Sequence, residues 1–130
     1  MKLVPVVSLM LCAAGAVSAQ DADRYTCAFT TECVETDRPC TKDNTLNAVL
    51  ARTDTGWSLQ GDTGEAIPFT RVSQDGDALF SLLSTQSDPV ASAVTILSVA
   101  ADGQAFVSTH GVFLSPGFVT HVGTCTPEAK

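Results

Sequence analysis

Beyond residue 24 the chain alternates apolar and polar side chains at a period of two, in short runs that never settle into a helical period. That alternation is the signature of half-buried strands. Residues 25–30 put Tyr25, Cys27 and Phe29 on one face, and residues 45–52 set Leu46, Ala48 and Leu50 against Asn47, Val49 and Ala51. Trp57 and Leu59 share a face in residues 57–60, which predicts that both fill the core. In residues 65–72, Ile67 and Phe69 repeat the spacing. Pro68 between them has no N–H to give a ladder, so this strand is expected at an edge or a bulge. Residues 78–83 are apolar on both faces except at Ser81, and residues 94–99 form a β-branched, apolar run suited to a central strand. Residues 104–110 and 118–125 complete the series, the last with Phe118, Thr120 and Val122 on one face.

Clusters of Gly, Asp, Thr and Ser separate these runs at 53–56, 61–64 and 73–77. Asp102-Gly103 between alternating segments is a strong hairpin signal. Longer loops are expected over residues 32–43, 84–91 and 111–117; Asp88-Pro89 discourages helix in the second. Tight turns without helical crossovers predict an all-β antiparallel meander of about eight strands, closed as a barrel or folded as a sandwich. The barrel is favoured, because the first and last strands each carry a cysteine, Cys27 and Cys125.

The N-terminus changes the reading of those cysteines. Residues 1–19 combine Lys2, an apolar run and a small-residue end, Val17-Ser18-Ala19, which together predict a secretory signal peptide. Cys12 falls inside that segment and follows Leu11 rather than the small residue expected before a lipidated cysteine. Of five cysteines, four would then remain in a single mature domain over residues 20–130. Cys33 and Cys40 lie close together in a polar loop, so local closure pairs them and leaves Cys27 for Cys125. Their spacings are neither C-x-x-C nor those of a zinc site, which favours structural disulfides in an oxidising compartment, periplasmic or secreted.

Charge narrows the partners. The chain has seven Lys and Arg against fourteen Asp and Glu; without Lys2 the balance is −8. Such a surface disfavours nucleic acid and anionic lipid and suits a protein with a basic surface. No later stretch approaches the roughly 18 apolar residues of a transmembrane helix, so stable membrane insertion is not expected.

Candidate chemistry is sparse. His110 and His121 flank the last hairpin loop and fall opposite or diagonal to each other, but no third ligand is signposted for a metal. No G-x-S-x-G turn exists, and Asp75 and Asp77 lack the order of a calcium loop. The chain is therefore read as non-catalytic and without cofactor. Tyr25 and Trp57 are each unique and suit the core or an interface. The best lead is the loop carrying Val112, Phe113 and Leu114, three consecutive apolar side chains that either plug the barrel or bind a partner. Two functions follow: a protein-binding or inhibitory module, or a carrier of a small apolar ligand in the barrel mouth.

Tyr25-Thr26-Cys27, Phe29-Thr30-Thr31-Glu32-Cys33 and Gly123-Thr124-Cys125 resemble small exported bacterial disulfide-containing proteins of unknown function. More distantly, the cysteine-ended eight-strand plan resembles the periplasmic barrels that inhibit C-type lysozyme. Those present a Ser-Gly-x-x-Tyr segment and a Lys-Gly loop. Neither is present here, so the resemblance implies a fold and transfers no site residue.

Overall fold

The structure, a computed structural model, describes residues 22–34, 40–42, 45–88, 92–112 and 117–129. The expected signal segment lies outside them, as do Phe113 and Leu114. Eight strands follow one another: β1 Arg24–Val34, β2 Leu46–Thr53, β3 Gly56–Gly61, β4 Ile67–Arg71, β5 Leu79–Asp88, β6 Ala93–Ala100, β7 Gln104–His110 and β8 Phe118–Pro127. Each pairs antiparallel with the next, and β8 pairs back onto β1, so the meander closes as a barrel.

The period-two pattern accounts for the interior. Tyr25, Cys27 and Phe29 of β1, Leu50 of β2, Phe80 and Leu82 of β5, and Leu97 and Val99 of β6 are all buried on the inner face. Trp57 and Leu59 join them, as their shared face requires. Tyr25, Trp57 and Phe80 meet near one end of the barrel. The Trp57 and Phe80 rings sit edge to face at 4.9 Å, and Tyr25 lies 6.0 Å from Trp57 and 6.2 Å from Phe80. Such ring pairs add about 0.5–1.5 kcal/mol each beyond the area they bury. The Arg71 guanidinium caps the cluster, 5.2 Å over the Phe80 ring.

Both disulfides form as the spacings imply, Cys27 to Cys125 and Cys33 to Cys40. The first lies inside the barrel, where Cys27 stands directly opposite Cys125 across the β1–β8 seam. The same seam carries a bulge between Phe29 and Thr31. One extra residue reverses the alternation beyond it. Glu32 therefore pairs with inward-facing His121, while Cys33 turns outward toward Cys40.

Three expectations need adjustment. The loop expected from residue 32 begins later, because β1 runs to Val34 and Glu32 forms a further bridge with Thr41. The loop expected from residue 84 is strand as far as Asp88, since Ser84 points inward and pairs with Thr95 of β6. Pro68 lies on no outer edge of an open sheet, because the meander closes; it stands within β4 opposite Ser58 of β3, where the pairing of β4 with β5 has already stopped.

Candidate functional site

The outward positions of β5 to β8 form a wall whose rows follow from the register. Cross-strand partners share a face. One row runs Val94, His110, Phe118; the next runs Leu83, Ile96, Ser108, Thr120; a third runs Ser81, Ser98, Phe106, Val122. Leu79 beside Ala100, and Gln104 beside Thr124, complete it. None of these residues is Lys, Arg, Asp or Glu. Leu79, Val94, Ile96 and Phe106 are exposed by 37–45 %, and Val112, just past the wall, by 80 %.

Ser81, Ser98, Ser108, His110 and Thr120 on this wall bond to one another. The Ser81 and Ser98 hydroxyls are 2.8 Å apart, Ser108 and Thr120 3.0 Å, and Ser108 lies 3.0 Å from His110 Nε2. The His110 ring stacks on Phe118 at 5.7 Å. Two acidic side chains sit in turns at one end of these strands, where Asp77 accepts from the Gln74 N–H and Asp102 from the Gln104 N–H.

The two histidines are not brought together. His110 stands outward opposite Phe118, whereas His121 stands inward opposite Val107. His121 Nε2 lies 3.1 Å from a Glu32 carboxylate oxygen, and the two half-buried side chains tie β8 to β1. Ser84, Thr95 and Thr109 also face inward in the same half of the barrel; Thr95 and Thr109 share a 2.9 Å hydroxyl contact. Among the described residues, no group of three or more His, Cys, Asp or Glu is placed to hold a metal ion.

Of the three loop residues singled out, Val112 is exposed, while Phe113 and Leu114 lie outside the described residues. The wall itself was missed in the sequence. Its signal was present as uncharged outward positions in four successive segments, legible only once their register is known. A groove of about 560 Å³ lies over β3, β4 and β5, lined by outward Ser58, Pro68, Thr70 and Leu83 and reaching inward-facing Trp57, Phe69 and Ser84.

No protein-family model, curated protein or solved structure matches the chain.

Proposed function

We propose that the protein is an exported, non-catalytic binding module that docks on another protein through the β5–β8 wall, occupying and so inhibiting the surface it covers. The observation that carries this reading is a wall free of Lys, Arg, Asp and Glu, with His110 stacked on Phe118 as its one titratable side chain, on a chain of net charge −7. Docking strips water from a surface. Charges resist that, whereas apolar side chains favour it by about 25 cal/mol per Å². Hydroxyls already bonded to one another lose little when water leaves. Phe106 and Ile96, central on the wall, are the natural anchors, since a few buried apolar side chains carry most binding energy.

The partner then has an apolar centre and a basic rim facing Asp77 and Asp102. The carrier reading is less well supported, because Tyr25, Phe80, Leu82, Leu97 and Val99 fill the interior an apolar ligand would need. The two disulfides are consistent with an oxidising location, periplasmic or secreted.

Photo-cross-linking in intact producing cells tests the reading. A cross-linker at Ile96 should give a protein adduct, one at Gln60 on the opposite wall should not, and F106D should abolish the adduct while leaving the thermal midpoint nearly unchanged. Equal adducts from both positions, or none from Ile96, would reject it.

A further inference from the structure

The β4–β5 seam is the shortest in the barrel: only Thr70 with Leu83 and Arg71 with Leu82 are in register. Its abrupt end has a chemical cause. Along a strand, backbone N–H and C=O groups turn toward alternate neighbours. The Val72 N–H donates to the Ser81 carbonyl at 2.9 Å, so Val72, Thr70 and Pro68 all face β5. Pro68 brings no N–H to that side. By the same alternation, Thr85 is the β5 residue that faces it. The next rungs, Phe69 with Ser84 and Pro68 with Thr85, are not made, although β4 continues to Ile67 and β5 to Asp88.

The other side of β5 offers Thr85 nothing either, since its ladder with β6 is interrupted between Ser84 and Asp88. The Gln86 N–H is taken by Ser84 Oγ at 3.2 Å. Thr85 thus presents a strand edge without a ladder partner, and the 560 Å³ groove lies on that edge. Its volume falls within the roughly 300–1,000 Å³ typical of ligand sites. Ser58, Pro68, Thr70, Leu83, Thr85 and Gln86 line it, and no lining residue is charged.

We infer that this groove is a strand-addition site for an extended, uncharged peptide segment of another protein. The segment takes the rung that Pro68 cannot fill, exchanging backbone hydrogen bonds with Thr85 and laying small or β-branched side chains against Pro68 and Leu83. An open strand edge recognises a strand, because the groups it leaves unmet are spaced for one. A neutral lining excludes charged side chains, whose desolvation nothing in the groove would offset. This site meets the docking wall at Leu83 of β5 but uses neither Ile96 nor Phe106, so failure of cross-linking at Ile96 and failure of peptide binding at Thr85 are read separately.

The test is a titration of the isotopically labelled, oxidised mature chain with acetyl-Thr-Val-Thr-Val-Thr-amide to millimolar concentration, followed by amide NMR. Saturable shifts are expected at Thr70, Leu83, Thr85 and Gln86, with slowed exchange of the Thr85 amide. P68V supplies the N–H that the Thr85 carbonyl would accept, and closing the seam then seats the Thr85 N–H on the residue 68 carbonyl. It should protect the Thr85 amide without peptide and weaken peptide binding by about tenfold or more, about 1.4 kcal/mol. T85P removes the N–H from the other strand and should weaken binding likewise. No saturable shift at these amides, wild-type binding by both variants, or shifts produced by a neutral oligosaccharide but not by the peptide would overturn the assignment.

Discussion

A missing Cβ governs the closing seam. Gly123 stands opposite Phe29 at the β1 bulge, where a Cβ would run into the Ala28 carbonyl and the Phe29 Cα. Both obstacles are backbone, which cannot step aside as a side chain tip can. Overpacking of this kind typically costs about 1–3 kcal/mol. G123A should therefore lower the thermal midpoint by about 4–8 °C for each kcal/mol lost. G61A is the control: its Cβ would meet nothing nearer than 3.7 Å, and stability should hold or rise slightly. Equal stability of G123A and wild type in urea denaturation would show that the seam has slack. The bulge beside Gly123 also explains what sequence reading missed at this scale. Plain alternation from Tyr25, Cys27 and Phe29 points Cys33 inward and Glu32 outward; the extra residue reverses both. The Glu32–His121 contact was hidden twice, by that reversal and because residues 32–43 read as a loop although β1 runs to Val34.

At the scale of elements, the strands were legible because each buries one face and tolerates hydroxyls on the other. β6 shows this most plainly, with Ala93, Thr95, Leu97 and Val99 buried in alternation with Val94 and Ile96 exposed. What escaped were extensions written in polar residues. Residues 84–88 read as loop because no apolar side chain marks a face, yet the Ser84–Thr95 pairing continues the ladder. Pro68 announced an interruption correctly but not its kind, since closure of the ring depends on strands far away in sequence. The seams differ accordingly in strength. β1 and β8 pair over most of their length, whereas β4 meets β5 through two rungs. Local opening draws on regions with few ladder bonds. Native-state hydrogen exchange should therefore find the Thr70 amide exchanging by local opening, at a free energy well below that of the Leu97 and Val99 amides, which should report global unfolding. Matching exchange free energies for the two sets would mean that the barrel opens only as a whole.

For the whole molecule, closure is the expensive step. β1 must find β8 across nearly the full domain, and ordering so distant a pair costs more chain entropy than any hairpin in the meander. The Cys27–Cys125 bond, spanning 98 residues, removes that entropy from the unfolded chain and is worth about 4.7 kcal/mol in the chain-entropy model. Cys33–Cys40 spans seven and is worth about 2.5 kcal/mol. A domain of this kind has only about 5–15 kcal/mol in all. The paired variant C27A/C125A should consequently lose several kcal/mol and unfold near physiological temperature, and the reduced wild-type chain, which lacks both bonds, should be less stable still. C33A/C40A should keep a cooperative transition, shifted by no more than about 2.5 kcal/mol, with faster amide exchange confined to the bridge between Glu32 and Thr41. Thermal unfolding of both pairs under oxidising and reducing conditions decides the matter. A C27A/C125A chain as stable as wild type would place the whole burden of closure on the β1–β8 ladder, and the staple would then be a consequence of the barrel rather than a condition for it.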